Sequence, residues 1–323
     1  MTDRELAIKA VHLRKRTLEA IFDAGAGHTG GGLSCLDILN VLYNRVLNVS
    51  PENFSSPNRD RYVQSKGHSV EALYAGIAAG GKKSFGVSPG CFLTARALEQ
   101  IKNDICYSDV PAVLIGISSG TSYGARGTTH HSLHDLAVLR AINNLTILVP
   151  ADNFESRQAI LAAAKATKPV FVRFGKAAMF NLHKPETKFE AGKAITLHEG
   201  NDVAFIATGE TVIHALFAAG QLAESGLNCR VISMHSIKPL DTETILKAGR
   251  ECCAVITVEE HMVHGGLGEA CASVLMQGGV NKPFRIVGIP DEETVPGAQA
   301  DIFRHYGISM EGLSDVVIKL LQR

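Results

Sequence analysis

The chain has 323 residues, 46% of them hydrophobic, and a mean hydropathy of +0.10, which predicts a globular protein with room for two ordinary domains. Lys plus Arg and Asp plus Glu both number 32, so there is no basic field for nucleic acid or a membrane surface and neither partner is expected. Seven cysteines with no CxxC pair and no recognisable signal peptide predict reduced thiols in the cytoplasm, and no apolar run approaches the roughly 20 residues that span a bilayer.

Residues 3–24 carry apolar side chains at helical spacing (Leu6, Ala10, Leu13, Leu18, Ile21, Phe22), with Thr2 or Asp3 as N-cap. The helix stops at Gly25-Ala26-Gly27. The turn His28-Thr29-Gly30-Gly31-Gly32 then leads into a second helix ending near Leu42; a glycine run there suits either an anion or a plain connector. Residues 61–64 read as a short strand, and Ser65-Lys66-Gly67-His68-Ser69 as a second glycine turn into a helix over 70–79. Residues 92–105 form an amphipathic helix with Ala95, Leu98, Ile101 and Ile105 on one face.

Residues 112–117 are apolar without polar alternation, as expected of a parallel strand covered on both faces. Four glycines follow, at 116, 120, 124 and 127, and let the backbone approach a ligand in the crevice beyond the strand ends. His130 and His131 close that turn. Asp152 caps the next helix with Glu155 as its capping-box partner, and Val170–Phe174 is the following strand. The alternation predicts a parallel sheet with helices on both faces. The polar, Pro-containing stretch 180–192 reads as a linker. A second α/β unit follows, with strands at 203–207, 229–234, 254–258 and 284–288. Gly265-Gly266-Leu267-Gly268 follows the third of these; a lone glycine cluster is a weak nucleotide signal, and a structural role is expected. Cys252 and Cys253 read as core residues.

Residues 124–160, GARGTTHHSLHDLAVLRAINNLTILVPADNFESRQAI, resemble the pyrimidine-binding domain of the transketolases, whose loop reads Gly-x-Thr-His before a helix and a strand ending Val-Pro-x-Asp. Residues 1–43 and 60–69 resemble the start of the same family, and 190–323 its C-terminal domain. The resemblance implies four parts. Residues 1–80 are a fragment of the diphosphate-binding domain, 81–180 a parallel pyrimidine-binding domain, 181–192 a linker, and 193–323 a mixed-sheet C-terminal domain, all α/β. It also implies a homodimer acting on small sugars or sugar phosphates. The reaction would be transfer of a two-carbon ketol unit from a ketose or hydroxypyruvate donor to an aldehyde or aldose acceptor. Thiamine diphosphate would be held through Mg or Ca on oxygen ligands.

The departures from the family are specific. No Gly-Asp-Gly metal motif occurs in the chain, which implies impaired cofactor binding. The family's activating Glu precedes a segment like Gly76-Ile77-Ala78-Ala79-Gly80-Gly81; the segment survives but the Glu does not. Glu71 falls one helical turn away, ~5.4 Å, as a substitute base or, on the plainer reading, a solvated helix-terminal Glu. The pattern is that of an internal deletion joining the N-terminal start to the pyrimidine domain. His28, His68 and His130 match family active-site histidines, and imidazole suits proton transfer near neutral pH. Arg173 matches the family arginine that grips a sugar phosphate. Ser118 and Arg126 stand where the family has a histidine and an aspartate, the latter adding a cation for phosphate. Cys91 and Thr94 replace the aromatic wall on the cofactor's pyrimidine. His131, His134 and Asp135 read as helix-surface residues. A catalytically silent paralogue that binds sugar phosphates or dimerises with a complete transketolase is the alternative; a dehydrogenase is excluded because no GxGxxG follows a strand.

Overall fold

The computed structural model describes residues 1–24, 36–53, 55–61, 83–184 and 186–322. Helix α1 (Asp3–Ala24) is capped at Thr2, whose Oγ1 accepts from Glu5 N at 3.3 Å while Glu5 Oε2 accepts from Thr2 N at 2.7 Å. Leu6 and Ala10 are buried, but Leu18 is 45% exposed and does not belong to the buried face. Helix α2 (36–41) continues into a π-helical turn at Leu42–Val46. His28, His68, Glu71 and the 76–81 segment lie outside the described residues.

Strand β1 (Ser84–Pro89) opens the first sheet, followed by α3 (Gly90–Arg96), the single turn α4 (Leu98–Gln100) and a π-helical turn at Ile101–Tyr107. The expected helix over 92–105 is therefore broken at Ala97, and Ala95 is exposed while Leu93, Ala97, Ile101 and Ile105 are buried. Strand β2 (Ala112–Ile117), α5 (Asp135–Arg140), β3 (Thr146–Leu148), α6 (Asn153–Lys165) and β4 (Val170–Arg173) complete the unit. The capping box at α6 forms: Asp152 Oδ1 accepts from Glu155 N at 2.8 Å, and Glu155 Oε2 reaches back to Ala151 N at 2.6 Å.

In the second unit β5 (Ile195–His198), β6 (Val203–Ala207), α7 (Val212–Glu224), β7 (Cys229–Ser233) and β8 (Ser236–Lys238) come first. Then follow α8 (Thr242–Glu251), β9 (Ala254–Met262), α9 (Leu267–Gln277), β10 (Phe284–Ile289), α10 (Gln299–His305) and α11 (Met310–Leu321). The sheet orders are β1-β2-β4-β3-β8 and β10-β9-β6-β7-β5. In each, four strands are parallel and the last is an antiparallel edge. The second sheet is mixed as expected; the first gains an antiparallel edge because β8, from the C-terminal unit, crosses over to β3.

Side-chain alternation divides the core into three layers. Val113 and Ile115 of β2 pack with Leu6, Ile38, Val41 and Leu42, so the N-terminal helices cover one face of the first sheet together with α6. Ala112 and Leu114 point the other way, into a layer that runs on to Ala204, Ile206 and Ile232 of the second sheet. The outer face of the second sheet packs against α7 and α11. Among the described residues no helix is long and apolar enough to cross a membrane.

Candidate active site

The loops beyond β1, β2 and β4 meet at the carboxyl edge of the first sheet, the usual crevice of a parallel α/β sheet. Ser119 N donates to Phe174 O at 2.9 Å, which ties the β2 loop to the β4 loop. Gly120 and Ser132 exchange backbone hydrogen bonds at 3.2 and 2.8 Å and close the intervening residues into a rim. Ser118, Gly120, Gly124 and Gly127 all have φ between 50° and 68° in this rim, where glycine is at no disadvantage but Ser118 is.

His130 stands on the outer side of the rim, with its ring edge-on to Phe92 at 5.5 Å and to Tyr123 at 5.4 Å. Arg126 Nη1 lies 3.4 Å from His130 Nε2. A guanidinium can only donate, so Nε2 is the accepting nitrogen and Nδ1–H donates to Thr129 Oγ1 at 2.9 Å. The cations of Arg126 and Lys176 each lie 5.8 Å from the Tyr123 ring, and Arg96 lies 5.1 Å from Phe92. Phe92, Tyr123 and His130 thus form an aromatic ledge fringed by three cations, an arrangement suited to a polar, anionic ligand.

A buried charge network lies behind the ledge. Arg173 is 5% exposed; its Nε donates to Asp135 Oδ2 at 2.8 Å and its Nη2 to the carbonyls of Ser132 and Glu260 at 3.1 and 2.9 Å. Burial alone would raise the Asp135 carboxyl, but Arg173 and His261 outweigh it and hold it below the ordinary range. Glu260 Oε1 accepts from Thr121 N and Thr121 Oγ1, both at 2.8 Å, and from Gln299 Nε2 at 2.7 Å. The same Gln299 nitrogen donates to Glu210 Oε2 at 2.5 Å. Burial and the neighbouring Glu260 push the Glu210 carboxyl up to about 8.

These placements correct several sequence expectations. Arg173 does not face the crevice, because Asp135 and two carbonyls occupy its donors. Asp135 is 0% and His131 3% exposed, so neither is a helix-surface residue; Asp135 holds Arg173, and His131 Nε2 donates to Gly124 O at 2.9 Å. Ser118 is 4% exposed and offers no open surface to a phosphate, whereas Arg126 does. Cys91, 4% exposed, has its thiol pushed up to about 11 by burial. Thr94, fully buried, donates to Gly90 O at 2.8 Å and lies 3.2 Å from His134 Nε2. Neither Cys91 nor Thr94 has surface to stack on a ring; Phe92 between them does. Cys253 is exposed, unlike Cys252. Lys176, Glu210 and Glu260 were missed; the Glu259-Glu260 pair closing an apolar strand run was the available signal.

The glycine cluster after β9 is structural, as expected. Glu259 Oε2 and Oε1 accept from Leu267 N and Gly268 N at 2.7 and 2.8 Å and thereby cap α9. Among the described residues no group of three or more His, Cys, Asp or Glu side chains could hold a metal ion.

Comparison with known proteins agrees with this architecture. Residues 4–83 match the thiamine diphosphate binding domain of transketolase, 68–180 its pyrimidine binding domain, and 192–313 its C-terminal domain; the first two matches overlap across 68–83. One of the two apulose-4-phosphate transketolase subunits of Phocaeicola vulgatus is 44% identical over 252 residues, 78% of this chain and 80% of that protein. Its namesake from Actinobacillus succinogenes is 34% identical over 84% of this chain and 88% of its own length. A solved structure described as a split gene transketolase, inactive beta4 tetramer, superposes with a TM-score of 0.71 at 32% identity, covering 79% of this chain and 81% of its own.

Proposed function

We propose, from the premise that this chain belongs to the transketolase family, that it works as one component of a ketol-transfer enzyme made of more than one chain. It moves a two-carbon unit from a ketose or hydroxypyruvate donor to an aldehyde or aldose acceptor. The observation that carries the reading is the aromatic and cationic ledge at the carboxyl edge of the first sheet, built around His130. In this reading His130 exchanges a proton with a sugar hydroxyl at Nε2, Arg126 and Lys176 attract the anionic end of the substrate, and the Arg173–Asp135–Glu260 network fixes the loops that carry them.

The described residues do not fit the metal and diphosphate part of thiamine diphosphate, since no three-ligand group is found among them and the sequence has no Gly-Asp-Gly. A partner chain bearing an intact diphosphate-binding domain supplies that half of the site, in keeping with relatives that are themselves single subunits of transketolases. The same observation favours a second reading, in which the chain is catalytically silent and serves as a sugar-phosphate-binding or dimerisation partner.

The test is formation of erythrulose from hydroxypyruvate and glycolaldehyde, with thiamine diphosphate and Mg²⁺, by the chain alone and with a separately purified diphosphate-binding protein. Turnover that needs the second protein and is lost in His130→Ala supports the proposal. Turnover by this chain without cofactor overturns it. Absence of turnover in every combination leaves the silent-partner reading.

A further inference from the structure

A cavity of about 430 Å³ lies between the N-terminal helices and the loop after β4, with Arg14, Asp37, Ser156, Arg157, Lys176 and Glu210 at its polar wall. The size falls within the usual range for small-molecule sites, roughly 300–1,000 Å³. Its walls come from parts far apart in sequence: α1 and α2 on one side, the first turn of α6 and residues 174–179 on the other. Ile38, Val41 and Phe174 make the apolar wall.

The charges at the polar wall do not cancel. Three cations face two carboxyls. Asp37 is spoken for, since its Oδ2 accepts from Arg14 Nη2 at 2.6 Å. Glu210 turns one oxygen to Gln299, while its Oε1 is buried without a hydrogen-bond partner among the described residues. With its carboxyl pushed up to about 8 by burial and by Glu260, it is largely uncharged at neutral pH and presents a donor. Arg157 makes one hydrogen bond, to the Asp3 carbonyl at 3.3 Å. Neither Arg157 nor Lys176 pairs with a carboxylate within 4.0 Å among the described residues. Two cations therefore meet at a half-apolar cavity with no counter-ion of the protein's own.

We infer that this cavity is a binding site for a small organic anion of sugar size, a phosphate ester or a carboxylate, built jointly by the N-terminal helices and the first sheet and gripped by Arg157 and Lys176. Guanidinium and ammonium supply charge-assisted hydrogen bonds to the anion. Ser156 and the Glu210 carboxyl meet hydroxyls, and the apolar wall covers the carbon chain. The site is separate from the ledge at His130, although Lys176 touches both, so it stands whether or not the chain takes part in ketol transfer.

Calorimetric titration of the full chain at pH 7 with glycerol 3-phosphate, with glycerate and with neutral glycerol tests this. Saturable 1:1 binding of at least one anion and none of glycerol is expected, and the stronger of the two identifies phosphate ester or carboxylate. Arg157→Gln weakens binding by about tenfold or more. Ala178→Trp, at an exposed lining position, places an indole in the cavity with every cation retained and abolishes binding. Arg126→Gln, at the ledge, leaves it unchanged. Absence of saturable binding overturns the inference, as does binding that survives both Arg157→Gln and Ala178→Trp or is lost in Arg126→Gln.

Discussion

Two glycine-rich turns follow parallel strands in this protein, one after β2 and one after β9, and their surroundings separate them. In the β9 turn each glycine is filled from the side. A Cβ at Gly265 would lie 2.5 Å from Ala137 Cβ, at Gly266 1.9 Å from Glu259 Oε2, and at Gly268 2.5 Å from Ile286. Its amides already donate to Glu259. In the β2 turn the inner glycine, Gly120, is equally crowded, with Glu260 Cδ 2.1 Å from a Cβ placed there, but Gly127 at the rim has nothing within 4 Å. Glycine lets something approach the backbone. In one turn that something is the protein itself; in the other the outer half is open.

The strongest way to break the comparison is at the charge behind the open turn. Arg173→Leu leaves Asp135 and the Glu260 carbonyl without their buried donor and is expected to cost ~3–5 kcal/mol in urea unfolding at pH 7. A loss below about 1 kcal/mol, the scale of an exposed ion pair, would mean that the network does not hold the rim. The two glycines of that turn give a paired test. Gly120→Ala meets both a positive φ and Glu260 and should lose about 2–3 kcal/mol. Gly127→Ala meets only the positive φ and should lose about 1 kcal/mol. Equal losses would erase the distinction between inner and outer halves.

A pH series sharpens the contrast, because the first unit carries a titrating cluster at the start of α6. Burial alone would lower His183, but hydrogen bonds and charge from Asp152 and Glu155 raise it to about 9. Asp152 is lowered by the same contact, against burial. The His183 contribution is complete below its ordinary range near 6.5 and is lost as pH rises through 9. The Asp152 contribution is complete above its ordinary value near 3.8 and is lost on acidification. Stability should therefore fall between pH 6.5 and 9 by ~2 kcal/mol more in the parent than in His183→Gln; parallel curves would remove the cluster from the account. The smallest effect belongs to the closed turn. Glu259 sits near neutrality, pushed up to about 7 by burial, so Glu259→Gln keeps one of two accepting oxygens and should cost about 1 kcal/mol or less in thermal unfolding.

The parallel strands and the α6 capping box were legible because apolar runs and Asp-x-x-Glu spacing are local signals. Asp135 was not. Nothing within the helix that it begins says that its carboxylate is covered, because the covering groups are Arg173, 38 residues on, and His261. An indirect signal existed: Arg173 interrupts the apolar run Val170–Phe174, and a charge in the middle of a strand buried on both faces must find a partner. Strand β8 was missed for a related reason, since three residues with no apolar pattern of their own are strand only because β3 offers an edge.

That short strand has a further consequence. Only Met234 and His235 separate β7, which lies in the second sheet, from β8, which lies in the first, and Lys238 Nζ donates to the carbonyls of Arg140 and Ile142. The chain is sutured at this point. A fragment cut in the 180–192 stretch would expose β3 as a bare edge, free to recruit any strand in solution. Dividing this polypeptide into independently produced halves therefore requires the cut to fall elsewhere, or the three residues of β8 to be supplied back as a peptide.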